Sequence, residues 1–223
     1  MTRVAALIPA AGGGTRLGLG PKAFVKVGGR TLLELAVESL AGHVSEVVVA
    51  VPAEALARAR ELLPTAVVVA GGTDRQATVR ALLAASDAPT VLVHDAARPF
   101  LTPDVAARLL AAVVSTGAAT VALAPADTVV WAEDGQVLER ERLRLVQTPQ
   151  GFARELLVEA HARAVADGFS ATDDAALVRR LGTQVTLVEG SPLLTKLTVP
   201  ADLPLFEALH AAWARAVRGA GRS

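Results

Sequence analysis

Short apolar runs alternate along this chain with segments of helical spacing. Runs at 4–8, 47–51, 67–70, 91–94, 120–124 and 185–188 read as strands, and 32–40, 53–63, 79–85, 103–115 and 153–167 carry helical patterns. The strand runs are apolar throughout rather than alternating. That predicts an α/β fold, a mostly parallel sheet with helices on both faces. No solenoid repeat, low-complexity stretch or linker interrupts the order, so one domain over 1–223 is expected.

One segment breaks the alternation. Residues 125–147 hold Thr128-Val129-Val130-Trp131, a turn signal at Glu133-Asp134-Gly135-Gln136, then Val137-Leu138-Glu139-Arg140. This reads as an inserted β-hairpin. Its second half is too charged for a core, and its apolar edge makes it either a docking arm or a plain surface hairpin.

Composition narrows the classes. With no cysteine, disulfides, thiolate nucleophiles and cysteine metal sites are excluded. Lys+Arg and Asp+Glu both number 22, which argues against binding to nucleic acid by bulk charge. No apolar run is long enough to cross a bilayer, and because strand and glycine loop begin at once no signal peptide is expected. A cytoplasmic location is expected.

The chemistry sits where the strand runs end. After the first run comes Pro9-Ala10-Ala11-Gly12-Gly13-Gly14-Thr15-Arg16-Leu17-Gly18-Leu19-Gly20-Pro21-Lys22. Its glycines let backbone amides approach a polyanion, and Arg16 and Lys22 add positive charge. It is neither a Walker loop, lacking Gly-Lys-Ser/Thr, nor a dinucleotide fingerprint, whose third glycine is replaced by Leu17. After the third run comes Gly71-Gly72-Thr73-Asp74-Arg75-Gln76-Ala77-Thr78, read as a close approach to a flat base or a capped helix start. After the fourth comes Asp95-Ala96-Ala97-Arg98-Pro99, where Asp95 suits Mg²⁺ or a capping role. His94 is expected to be structural. Thr148-Pro149-Gln150-Gly151-Phe152 and Ala171-Thr172-Asp173-Asp174-Ala175 read as loops leading into helices, able to bind an anion or simply to cap. Lys196 follows the last strand, solvated or within reach of the same pocket.

Taken together, these motifs resemble the 2-C-methyl-D-erythritol 4-phosphate cytidylyltransferase family from residue 4 to 203. The resemblance implies a Rossmann-like sheet of the nucleotidyltransferase type, and transfer of the cytidylyl group of CTP to methylerythritol phosphate with release of pyrophosphate. It implies that Ala10, Ala11, Gly12, Gly71, Thr73, Thr78 and Asp95 line the nucleotide site. Arg16, Lys22 and Lys196 would stabilise charge at the α-phosphorus. Asp95 would hold Mg²⁺ or another divalent cation and also face the second substrate, with Arg98, Thr148 and Thr172. Thr128 and Arg140 would reach into a partner's site in a homodimer formed through the 125–147 arm. With its end near Ser223, the chain looks monofunctional, without the fused cyclase of some relatives. Thr15, Thr78, Ala23-Phe24 and Leu194 depart from frequent family choices, and none removes a proposed catalytic charge. A ribitol-phosphate or other polyol-phosphate cytidylyltransferase and a non-catalytic nucleotide sensor stand as alternatives. A dinucleotide-dependent oxidoreductase is weakened by the broken fingerprint.

Overall fold

A computed structural model describes residues 3–12 and 20–220. The loop residues 13–19, Arg16 among them, lie outside that range.

Strand β1 (Val4–Pro9) is apolar throughout and buried along its middle. Its successive side chains serve opposite faces: Leu7 joins one core and Ile8 the other. β2 (Lys26–Val27) and β3 (Arg30–Thr31) form a separate ribbon. The turn between them is Gly28-Gly29, both at positive φ, as a two-residue hairpin requires. Helix α1 (Leu32–Ala41) starts at a capping box made by Thr31 and Glu34. β4 (Glu46–Val51), α2 (Leu56–Leu62), β5 (Val67–Ala70), α3 (Arg75–Ala84), β6 (Thr90–Val93), α4 (Pro103–Thr116) and β7 (Ala118–Leu123) continue the alternation. Then come β8 (Leu145–Ala153), α5 (Arg154–Ala166), α6 (Asp174–Arg180), β9 (Thr186–Glu189) and α7 (Leu203–Ala220).

The main sheet has seven strands in the order β5-β4-β1-β6-β8-β7-β9. β8 runs antiparallel to both neighbours, and the other pairs are parallel. Leu33, Val49, Leu92 and Leu109 pack one face, against α1, α2 and α4; Val48, Val79, Phe152, Leu157 and Val178 pack the other, against α3, α5 and α6. Each such fully buried side chain stabilises the fold by about 1.5–3 kcal/mol relative to exposure. Phe100, Phe206 and Trp213 form a third cluster that seats α7 on the ribbon.

The chain leaves β1 toward β4 and β5 on one side, then returns to β6 on the other. In an open α/β sheet, ligands bind outside the carboxyl ends of the strands at such a reversal.

The elements differ from the sequence expectation at the β2–β3 ribbon, which no expected run covers, and in three further places. Residues 148–152, read as loop, belong to β8, buried between β6 and β7. Threonine, proline and glycine look like loop residues, but Gly151 is needed where α4 packs closely, because a Cβ there would run into Val113 and Leu92. Helix α3 begins four residues before the expected 79, because Asp74 caps it by accepting from Ala77 N–H at 2.7 Å. Helix α7 is absent from the expected elements, although Leu203, Phe206 and Trp213 carry its apolar face. The 125–147 segment does turn back on itself: Val130 bridges Val137, and Leu138 N–H donates to Val129 O at 2.8 Å. It is a hairpin of minimal ladder, without regular strands.

Candidate active site

At the reversal point the loops after β1, β5 and β6 enclose a cavity of about 350 Å³. Ala10, Ala11, Gly12, Lys22, Thr73, Thr78, Asp95 and Lys196 line it, all expected from the sequence. Gly72, Asp74, Arg75, Ala96 and Ala97 also line it. Gly71 lies just behind: a Cβ there would overlap that of Ala11, so its bareness lets the β1 and β5 loops touch. Thr78 is committed within its own loop. Its hydroxyl donates to Asp74 O at 2.8 Å and accepts from Gly72 N–H at 3.1 Å.

Asp95 is the charge centre. Lys196 Nζ lies 2.6 Å from Asp95 Oδ2, and Arg75 Nη2 lies 3.9 Å from Oδ1. Burial opposes ionisation of Asp95, but the charges of Lys196, Arg75 and Arg98 outweigh it and hold the carboxyl below its usual range. Lys196 is far from Asp95 in sequence, and backbone ties bring the two together. Arg98 Nη1 donates to Leu194 O at 2.7 Å, and Leu197 N–H donates to Ala97 O at 2.9 Å.

Beneath Asp95 the hydrogen bonds fix one tautomer. Arg98 O can only accept, so the proton of the neutral His94 ring is on Nε2 and its Nδ1 accepts from the Thr148 hydroxyl at 3.1 Å, while Thr148 Oγ1 accepts from Asp95 N–H at 3.0 Å. His94 Nε2 donates to Arg98 O at 3.0 Å. Burial lowers the His94 pKa to about 4, so the ring is neutral. It is structural, as the sequence suggested.

A second network backs the first. Arg75 Nη2 lies 2.7 Å from Oδ2 of the fully buried Asp174, and His161 Nε2 lies 2.9 Å from Asp174 Oδ1. Burial opposes ionisation of Asp174 as well, but His161 and Arg75 hold its carboxyl below the usual range. The sequence assigns Asp174 no role, and its neighbour Asp173 takes the capping one, accepting from Ala176 N–H at 2.8 Å.

The remaining expected residues stand apart from the cavity lining. Arg98 is occupied with Leu194, Thr148 acts through Asp95 N–H and His94, and Thr172 is exposed just ahead of α6. Thr128 and Arg140 are exposed on the hairpin, where Arg140 Nη1 donates to Ala126 O at 3.0 Å.

A cavity of glycine loops, two lysines and an ionised aspartate at this reversal suits a nucleoside triphosphate. Comparison with known proteins decides the family. The family model for 2-C-methyl-D-erythritol 4-phosphate cytidylyltransferase matches residues 4–211. The chain belongs to that family. It is 60% identical over 210 residues to the family member of Deinococcus radiodurans, covering 93% of this chain and 89% of the relative. It is 50% identical to that of Thermus thermophilus, covering 94% and 98%. The crystal structure of the cytidylyltransferase from that organism superposes with a TM-score of 0.84 at 47% identity, over 94% of this chain and all of that one. A bifunctional relative from Campylobacter jejuni superposes with a TM-score of 0.81 at 27% identity, and the match spans 54% of its length. The fold is thus that of a nucleotidyltransferase, and the chain is an enzyme of the cytidylyltransferase class acting in isoprenoid synthesis. Among the described residues, no helix is long and apolar enough to cross a membrane.

Proposed function

We propose that the enzyme transfers the cytidylyl group of CTP to 2-C-methyl-D-erythritol 4-phosphate, releasing pyrophosphate. The observation that carries this reading is the approach of Lys22 and Lys196 to one cavity with Asp95, beside the Gly72–Thr78 loop. A phosphate oxygen of the polyol phosphate attacks the α-phosphorus in line, and the bond to the pyrophosphate oxygen breaks. No protein nucleophile takes part, so the protein contributes position and charge. Lys22 and Lys196, with Arg16 from the first loop, neutralise oxygens that gather charge as the bonds exchange. Lys196 begins paired with Asp95, and an arriving phosphate offers it a second anion. The small residues Ala10, Ala11, Gly12 and Gly71, with Thr73 and Thr78, form the wall for the cytidine.

Asp95 fits a divalent cation. It presents one ionised carboxylate to an anion-binding cavity, and Mg²⁺ commonly takes one or two carboxylates and completes its shell with water and phosphate oxygens. Bound there, the ion would offset charge on the triphosphate. Arg98, Thr148 and Thr172 serve the polyol-phosphate side, Thr148 by fixing the backbone of Asp95.

A homodimer through the 125–147 arm belongs to the same reading. Val130, Trp131 and Val137 are 47%, 53% and 66% exposed on the hairpin. Apolar side chains gathered on a protruding element mark an interaction surface. A second copy covering them would bring Thr128 and Arg140 to the neighbouring site. The deciding assay is pyrophosphate release with each NTP, Mg²⁺ and a panel of polyol phosphates. Turnover with CTP and methylerythritol phosphate is the expected result; turnover only with ribitol phosphate would overturn the substrate assignment, and CTP binding without release would indicate a sensor.

A further inference from the structure

The cavity is lined from the nucleotide side by a loop whose next two side chains do not point back into that loop. Gln76 crosses to the segment ahead of α6, where its Nε2 donates to Phe169 O at 3.2 Å and its Oε1 accepts from Ala171 N–H at 2.7 Å. Arg75 crosses beside it to Asp174. From the other side, Gln150 Oε1 accepts from Asp174 N–H and Ala175 N–H, both at 3.1 Å, and Gln150 Nε2 donates to Asp173 Oδ2 at 3.0 Å. Every neighbour of Thr172 from 171 to 175 is thereby held, while Thr172 itself is exposed.

We propose that Arg75 and Gln76 are positioning residues that couple the nucleotide loop to the segment carrying Thr172, and so set affinity for the polyol phosphate from the nucleotide side. The inference rests on the functional reading above. Three physical points carry it. One Arg75 guanidinium lies 2.7 Å from Asp174 and 3.9 Å from Asp95, so a single planar group holds the base of the Thr172 segment and adds its charge beside the carboxylate facing the substrates. Asp174 is fully buried while Arg75 is half-buried, so the pair costs the desolvation of one carboxylate and is better explained by geometry than by stability. A loop already held in its binding geometry does not lose that freedom when the ligand arrives, which favours affinity.

The test is steady-state kinetics of Gln76→Ala with both substrates varied, the wild type being assayed alongside. KM for the polyol phosphate should rise about tenfold, the scale of two lost hydrogen bonds, while KM for CTP changes by less than about twofold. In a Thr172→Ala background the same substitution should change KM by less than about twofold, because its effect runs through that segment. The Arg75→Gln/Asp174→Asn double variant removes the ion pair as a unit and should raise KM for the polyol phosphate by more than KM for CTP, which it also moves because Arg75 lines the nucleotide cavity. Equal effects on both KM values, no effect, or full multiplication with Thr172→Ala would overturn the proposal. A wild type that turns over another polyol phosphate changes the substrate assignment alone, and the variants are then compared with that substrate.

Discussion

The Asp95 centre and the 125–147 arm carry expected site residues in opposite physical settings. At the centre, each charge is answered within the chain: Lys196 and Arg75 by Asp95, Arg75 again by Asp174, and Asp174 by His161. On the arm the polar contacts are local, such as Arg140 with Ala126 O and with Glu141, while Trp131 and its apolar neighbours lie open. A group whose partners lie in its own chain gains a fixed position from folding. A group on a weakly braced, apolar-faced hairpin gains one only from another surface. The centre should therefore fail through stability and chemistry, and the arm through assembly.

The largest contrast is in stability. Asp174→Ala strands the buried His161 Nε2 and leaves the half-exposed Arg75 to water, and should cost about 1–3 kcal/mol, the scale for a buried polar group left unsatisfied. Arg140→Ala, on the exposed arm, should stay within about 0.5 kcal/mol. Thermal unfolding of both variants measures the gap. The folded-state pKa of Asp174 lies below its ordinary value, so its contribution is present above about pH 4 and is lost as pH falls through the folded value. The melting difference between wild type and Asp174→Ala should shrink in that acid range. A gap unchanged from about pH 7 to about pH 3 would show that the carboxylate charge is not the source.

Next comes chemistry. Lys22→Ala and Lys196→Ala should each lower kcat by about 10²-fold or more, as for loss of one contact that strengthens in the transition state. Near-normal kcat in either variant removes that lysine from the mechanism. Lys196→Ala also frees Asp95 from its nearest cation, so it should weaken binding least of the two if the aspartate then engages a metal more readily; nucleotide titration with and without Mg²⁺ reads this out.

Sequence and structure agree best where a motif is short and its partner is backbone. The strand-end loops were legible because continuous apolar runs fix the sheet and its carboxyl edge follows. Asp95, Lys22 and Thr78 could be placed on that edge from position alone. His94 ends a buried strand, and its ring meets other buried groups, Thr148 and Arg98 O. What stayed hidden depends on distant pairing. Nothing local marks Asp174 as the partner of Arg75, 99 positions earlier, and residues 148–152 have loop composition because their strand is packed flush against a helix. The hydroxyl of Thr148 also bonds Asp95 N–H and His94, two contacts that only the folded sheet creates.

That hydroxyl gives a smaller effect. Thr148→Val keeps the shape but strands Asp95 N–H and His94 Nδ1, which should cost about 1–3 kcal/mol for groups left unsatisfied. Loss of stability together with a raised KM for the polyol phosphate would place Thr148 behind Asp95. A raised KM at unchanged stability would instead place its hydroxyl on the substrate.

The smallest expected signal is the one that tests the arm across subunits. Arg140→Ala and Lys22→Ala proteins, each inactive alone, are unfolded together, refolded and assayed. If Arg140 serves the partner's site, a mixed dimer holds one site with both residues intact and one lacking both. Half of the dimers are mixed and half of their sites work, so the rate should recover to about a quarter of wild type in a symmetric pair. If Arg140 serves its own site, each site in the mixed dimer lacks one residue and nothing is recovered. Native mass spectrometry of the refolded sample must show the mixed species for the outcome to count. Mixed dimers without activity would then confine Arg140 to its own chain, and the exposed Val130, Trp131 and Val137 would need another reason for lying open.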